Sequence, residues 1–201
     1  MKKIEKVLWG LFILGLIFKL NHWPFAGILT VLSLGLVASF YFYFGFGLFN
    51  NIKLKHLLKK ENYSSIPKPN IAFGFLFGIS LSLIIFGFLF KFMIWPNANF
   101  ILITGIIFLL VCLAFYFVLL SQKKVSIPKN SFIRILVVGL LGLSIYLIQT
   151  DSIIDFYYPN DKPFAEALKN IVKDPSNVEY QEVFVKIRDE RIKLNTEEQG
   201  K

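Results

Sequence analysis

Uncharged, strongly apolar segments alternate with short lysine-rich segments over the first three quarters of the chain. The uncharged runs cover residues 7–18, 20–52, 70–90, 92–122 and 135–150. A helix crosses a bilayer with about 20 mostly apolar residues, and lysines at its ends extend to the interface. With Lys6 and Lys19 treated as such end residues, the pattern predicts five transmembrane helices, at about 4–21, 26–49, 70–92, 98–121 and 131–149.

The last quarter of the chain mixes charged and apolar residues. Pro163 favours a helix start, and Ser176 followed by Glu179 fits a capping box. We therefore predict two short helices, at about 163–173 and 177–194, that form a helical hairpin.

The predicted fold is an all-α integral membrane protein with two parts. Residues 1–149 form a five-span membrane domain, and residues 150–201 form a helical tail. In the tail, the alternation of apolar and polar positions over 183–187 leaves a strand as the alternative. A tail of about 50 residues is too small to bury much of a core alone, so we expect it to dock on the membrane domain or on a partner.

A twelve-residue stretch occurs twice, as GLIFKLNHWPFA from Gly15 and GFLFKFMIWPNA from Gly87. The positions that match are Gly15, Phe18, Lys19, Trp23, Pro24 and Ala26 in the first copy and Gly87, Phe90, Lys91, Trp95, Pro96 and Ala98 in the second. We predict two parallel two-helix repeats, at about 4–49 and 70–121, and a fifth helix without a counterpart. The recurrence, with no A-x-A-like cleavage site after the first apolar run, argues against an N-terminal signal peptide.

Each copy is interpreted as the turn of a helical hairpin. The helix dipole favours the lysine at the C-terminal end of one helix, and the proline fits the first turn of the next. The tryptophan lies at interfacial depth and can take the lysine as a cation–π partner. Lys19 and Lys91 are candidates for anion binding, with simple extension to the interface as the alternative. His22 is interpreted as a polar interfacial side chain, because Ile94 replaces it in the second copy.

The basic residues lie in alternate loops, although the net charge of the whole chain is +9. The tail carries eight basic and eleven acidic residues, which leaves fourteen basic and two acidic residues before it. The lysine-rich side of a membrane protein is cytoplasmic, so we predict a cytoplasmic N-terminus and a periplasmic C-terminus in a bacterial inner membrane. Basic loops this short favour contact with membrane lipid over nucleic acid.

Small residues recur at helical spacing inside the spans. Gly74, Gly78 and Ser82 form a stripe on the third helix, and Gly139 and Gly142 lie on the fifth. Such stripes allow close helix approach. Contact within this chain is favoured over an oligomer interface because four other helices are available. The aromatic run 40–49 is interpreted as an interfacial belt.

The sequence offers little catalytic chemistry. Glu5 and Glu61 are the only carboxylates before Asp151, and both lie outside the uncharged runs, so no buried ionisable group is expected in the membrane. His22 and His56 fall on opposite sides, and the single cysteine, Cys112, is interpreted as a packing residue. No enzyme activity, metal or cofactor is predicted.

Two further segments carry hypotheses. The lysine-rich segment 51–69 is interpreted as a positive-inside loop, with an amphipathic helix on anionic lipid as the alternative. Asp151, Asp155 and Asp161 emerge on the side of the two turn lysines, and a salt-bridged contact between them is expected.

The turn pattern resembles the signature G-x-x-F-K-x-x-H-W-P-x-A of small inner-membrane proteins of Bacteroidota, and it is similar to the N-terminal hairpin of the gliding-motility protein family GldL. In this sequence the pattern is carried by Gly15, Phe18, Lys19, His22, Trp23, Pro24 and Ala26. The resemblance implies an inner-membrane location and, in that family, a proton-coupled motor role that uses an intramembrane glutamate. The second span here has no acid, so only location and lineage are carried over.

Two functions are considered. The first is a non-enzymatic accessory or scaffold protein of the cell envelope, linked to gliding or secretion machinery, with a protein partner or a homo-oligomer. The second is a small-molecule or ion transporter with a path between the repeats, lined by Ser33, Ser80, Ser82 and Thr104. A polar cavity at mid-membrane would favour transport, and tight packing there would favour the scaffold.

Overall fold

The computed structural model describes residues 1–21, 23–57, 60–63, 66–126 and 128–199, and its regular structure over these ranges is entirely helical. In chain order the helices are α1 (Lys2–Leu20), α2 (Ala26–Phe49), α3 (Lys68–Phe92), α4 (Ala98–Ser121), α5 (Lys129–Leu147), α6 (Thr150–Tyr157), α7 (Lys162–Lys173) and α8 (Val178–Gln199). The prediction of an all-helical chain is confirmed. The chain divides into two compact units, Met1–Leu147, here the membrane unit, and Ile148–Lys201, here the tail unit.

Within the described ranges, four helices are long and apolar enough to cross a membrane: α2, α3, α4 and α5. The 24 residues of α2 extend about 36 Å at about 1.5 Å per residue, which exceeds the ~30 Å hydrocarbon core. Helix α1 has 19 residues, and its first turns hold three lysines and Glu5. The charges at its start make it less apolar than the other four.

Helix α3 lies at the centre of the membrane unit. Two thirds of its most apolar stretch is buried, compared with one third for α4 and about a fifth for α5. It packs against α2, α4 and α5, while α1 packs on α2. The core side chains with almost no exposure include Leu34, Phe77, Leu81, Ile84 and Leu102. The remaining apolar faces of α1, α4 and α5 stay exposed, as expected for surfaces that contact lipid.

The segment between α2 and α3 forms no amphipathic helix in the residues described. It contains two short 3-10 segments, Leu54–His56 and Lys60–Tyr63, and Pro67 precedes α3. His56, half-buried, lies in the first of them. The arrangement agrees with the loop interpretation of this segment.

The tail unit contains one helix more than the sequence analysis predicted. Helix α6 follows α5 after a break at residues 148–149, where the fifth span was expected to continue. The segment 183–187 is part of α8, so the strand alternative is wrong. The capping-box assignment is also wrong: the carboxamide oxygen of Asn177 accepts from the N–H groups of Glu179 and Tyr180, while Ser176 bonds to Asp174. Asparagine is a strong N-cap residue, and the analysis placed the cap one residue too early.

The tail unit has its own aromatic and ionic contacts. The Phe164 ring lies 4.8 Å from the Tyr158 ring and 5.6 Å from the Phe184 ring, and the Arg191 guanidinium lies 4.6 Å from the centre of Phe164. These contacts join α7 to α8. The three aspartates that were expected to contact the turn lysines have ion-pair partners inside the tail unit: Asp151 with Lys173, Asp155 with Lys169, and Asp161 with Arg191. The hydrogen bond to Asp155 raises the pKa of Lys169.

Candidate functional site

The turns after α1 and α3 have matching backbone and ring geometry. The Trp23 N–H donates to the Phe18 carbonyl at 2.9 Å, and the Trp95 N–H donates to the Phe90 carbonyl at 2.8 Å. In both turns the tryptophan ring packs edge-on against that phenylalanine, with centroids 5.0 and 5.1 Å apart. His22 lies outside the described residues. Ile94, its counterpart, has a φ of 56°.

The prolines of the motif lie within the turns and not in the first turn of the following helix. Phe25 and Asn97, one position later, adopt left-handed conformations with φ of 65° and 61°, and they stand at the N-caps of α2 and α4. Pro24 and Pro96 therefore precede the cap by one residue. Proline removes a backbone donor and fixes φ, so it stiffens the chain reversal at that position.

Lys19 reaches the end of a different helix. Its ammonium group donates to the Phe92 carbonyl at 2.6 Å and lies 5.3 Å from the centre of the Phe92 ring. Phe92 is the last residue of α3, where helix carbonyls lack partners within the helix. A cation at this end also suits the helix dipole.

Lys91 makes the corresponding contact one helix further on. Its ammonium group donates to the Asn99 side-chain oxygen at 2.7 Å and to the Tyr146 carbonyl, near the end of α5, at 3.2 Å. Lys91 is only 1% exposed, so its side chain is enclosed by neighbouring residues of the membrane unit. The ring nearest its ammonium is Tyr146 and not Trp95, so the proposed cation–π pairing with the motif tryptophan is wrong.

The two lysines together link the carboxyl ends of α1, α3 and α5. Lys19 joins α1 to α3, and Lys91 joins α3 to α5. Each ammonium is thus used to satisfy helix carbonyls, which is a structural role that the motif spacing alone did not indicate.

A buried ion pair lies at the opposite, lysine-rich end of the membrane unit. The Glu5 carboxylate accepts from Arg134 Nε at 2.6 Å and from Arg134 Nη2 at 2.8 Å. It also accepts from the Tyr41 hydroxyl at 2.7 Å. The group joins α1, α2 and α5, and Glu5 is 8% exposed. The fork of the guanidinium holds both carboxylate oxygens, which gives a strong and oriented pair.

The expectation that no ionisable group is buried in the membrane unit is therefore wrong. Glu5 lies inside α1, and Tyr41, assigned to an aromatic belt, is 1% exposed. A signal was present in the sequence: Arg134 is the only arginine before the tail, and Glu5 is the only acid within the five predicted transmembrane helices. A lone acid and a lone base in apolar helices pair because burying either one alone is costly.

A second polar cluster fixes the loops at the same end. The Asn70 side chain donates to the Ser126 carbonyl at 2.8 Å and accepts from the Ser126 N–H at 3.0 Å. Asn50 donates to the Asn70 carbonyl, and the buried Ser131 donates to the Phe49 carbonyl. These bonds hold the loop before α5 against the ends of α2 and α3.

The small residues on α3 lie at its crossing with α2. A Cβ atom on Gly78 would lie 2.6 Å from the Tyr41 carbonyl oxygen and 3.0 Å from Gly45 Cα, and one on Gly74 would lie 3.1 Å from Phe46 Cα. Ser82 is buried on the same helix. The two backbones approach closely enough that no side chain fits between them. On α5, Gly142 contacts Ile84 and Gly139 lies near Leu109.

Three of the four hydroxyls that would line a transport path are bonded to their own helices. Ser33 donates to the Thr30 carbonyl, Ser80 to the Leu76 carbonyl and Thr104 to the Phe100 carbonyl. Thr104 is exposed on the surface of the unit and does not face its interior. Cys112, 4% exposed, lies against Ser80 and packs in the core.

No protein-family model, no curated protein and no solved structure matches this chain. The similarity to the GldL hairpin therefore stays a prediction that rests on the turn motif.

Proposed function

We propose that the chain is a non-enzymatic inner-membrane protein that serves as an accessory or scaffold subunit of the cell envelope. One observation carries this proposal: α2 and α3 pack backbone to backbone at Gly45, Gly74 and Gly78, and the Glu5–Arg134 pair and Lys91 connect different helices. Such an interior suits a rigid support. The transport alternative is less well supported, because the hydroxyls of Ser33 and Ser80 donate to carbonyls of their own helices.

The membrane unit crosses the bilayer five times in this proposal, with α1 as the first span. Its 19 residues extend about 28 Å, close to the thickness of the hydrocarbon core. Arg134 neutralises the one acid that α1 carries. The lysines at its start lie where they can extend to the interface.

The two hairpins arose by duplication in this proposal. The shared turn geometry supports it, and so do Gly15 and Gly87. A Cβ on Gly15 would lie nearest Leu29 and Thr30, and one on Gly87 nearest Leu102, which is 72 positions after Thr30. The same helix contact is thus made in both copies.

The N-terminus is cytoplasmic and the tail periplasmic in this proposal, following the lysine-rich loops. A reporter that is active only in the periplasm, fused after α8, is expected to be active. The same reporter inserted in the loop between α4 and α5 is the matched control and is expected to be inactive. The opposite pattern would refute the orientation.

The decisive test of the scaffold role is purification of the natively expressed, tagged protein in mild detergent, followed by mass spectrometry. We expect a partner in fixed stoichiometry, and a partner from gliding or secretion machinery would support the link to the GldL family. An unrelated tagged membrane protein of similar size controls for carry-over. A protein that is recovered alone and supports solute flux in liposomes would contradict the scaffold proposal.

A further inference from the structure

A cavity of about 360 Å³ opens at the lysine-rich end of the membrane unit, between the start of α1 and the end of α2. Its surface has two parts. The apolar part is formed by Met1, Leu48 and Ile52, and the cationic part is formed by Lys2, Lys3 and Lys53. Leu48 and Ile52 are buried, whereas the three lysines are exposed.

The three lysines have no anionic partner in the part of the chain that the structure describes. None of them takes part in an ion pair there. The acid closest in sequence to Lys2 and Lys3, Glu5, is already occupied by Arg134 and Tyr41. Three positive charges around one cavity create a potential that favours an anion.

The surface that continues from the cavity is apolar. Val7 lies one helical turn after Lys3 on the same face of α1, and it is 61% exposed. A ligand that places an anionic group among the lysines can therefore lay a hydrocarbon chain along α1. A free inorganic anion would leave the apolar part of the cavity unused.

We propose that this cavity binds the phosphate headgroup of an anionic phospholipid, with the phosphate held by Lys2, Lys3 and Lys53 and an acyl chain lying along α1. Basic pockets between transmembrane helices are suited to such headgroups. The volume is in the range of small-molecule sites. The bound lipid would fill the gap between the start of α1 and the end of α2.

The test uses the full chain, purified in detergent and analysed by native mass spectrometry with added phosphatidylglycerol or phosphatidylcholine. We expect retention of phosphatidylglycerol and not of phosphatidylcholine. The triple variant Lys2→Gln, Lys3→Gln, Lys53→Gln is expected to bind phosphatidylglycerol about tenfold more weakly or worse, because each lysine contributes separately to the attraction.

A second triple variant, Lys123→Gln, Lys124→Gln, Lys129→Gln, is the matched control. It removes the same charge from the same end of the membrane unit, from exposed lysines that do not line the cavity. We expect it to bind phosphatidylglycerol as the unmodified chain does. Equal weakening in the two variants would overturn the proposal, and so would equal retention of phosphatidylcholine. Inorganic phosphate at about 10 mM, a concentration on the order of the Kd of a weak anion site, is added as a competitor. Displacement of the lipid by this phosphate would assign the cavity to a soluble anion and would also overturn the proposal.

Discussion

The two hairpin turns share a motif and a local geometry, yet their lysines have different surroundings. Lys19 is only partly buried and contacts the end of α3, whereas Lys91 is 1% exposed between α3, α4 and α5. The difference follows from position in the unit, since α3 packs against α2, α4 and α5, whereas α1 makes most of its helix contacts with α2. Local sequence therefore determines the turn, and the neighbouring helices determine how much each residue contributes to stability.

The ion pair at Glu5 has no equivalent in the second hairpin. The repeat offset is 72 residues, and the residue 72 positions after Glu5 is Phe77, which cannot form an ion pair. Glu5→Leu is expected to lower the free energy of unfolding by about 3–5 kcal/mol, since it leaves Arg134 buried and uncompensated. Arg134→Leu is expected to have a similar effect. The measurement is unfolding of each variant in the same mild detergent.

The double variant Glu5→Leu, Arg134→Leu is the control for this interpretation. Removing both charges is expected to restore most of the stability, because a buried pair is often no more stabilising than apolar residues of similar volume. If the double variant lost the sum of the two single effects, the pair would not act as a unit.

The matched glycines provide the next comparison. Gly87→Ala is expected to destabilise by about 1–3 kcal/mol, because its Cβ would lie 2.7 Å from the backbone nitrogen of Leu102. Gly15→Ala places its Cβ at 3.4 Å from its nearest neighbours, so the gain in helix propensity should offset any strain. Equal melting temperatures for the two variants would show that the hairpins pack alike.

Substitution of Lys19 and Lys91 tests whether the difference in their burial produces a difference in stability. Lys91→Met is expected to destabilise by about 1–3 kcal/mol, because it leaves the Asn99 side-chain oxygen and the Tyr146 carbonyl without their donor. Lys19→Met should cost less, since water can replace the partly exposed ammonium at Phe92. Thermal unfolding in detergent gives the order, and a larger loss at Lys19 would contradict it.

The tryptophans should give the smallest and most similar effects. Trp23→Leu and Trp95→Leu each remove one edge-on contact with a phenylalanine, which is expected to cost about 0.5–1.5 kcal/mol. Both rings are substantially exposed, so little core packing is lost. A difference of more than about 1 kcal/mol between them would mean that the turns are not equivalent in energy, since independent aromatic contacts differ by less.

Several helix bounds could be predicted because they depend on local signals. The start of α2 and the limits of α4 follow from the change between apolar and polar residues, and α7 begins beside Pro163. The Glu5–Arg134 pair could not be placed in the same way, because its partners are 129 positions apart and a helix-spacing rule does not reach that far. Helix α6 was missed because it is only eight residues long and begins at Thr150, the last residue of the uncharged run that includes most of α5.

The link between Glu5 and Arg134 also sets an order of events during synthesis. At about 5–20 residues per second, a ribosome adds the 129 positions that separate them in roughly 6–26 seconds. During that interval the first helix carries a carboxylate without its base, and only the arrival of α5 completes the pair. Truncation before residue 134 would therefore leave a nascent chain whose first helix still carries an unpaired charge.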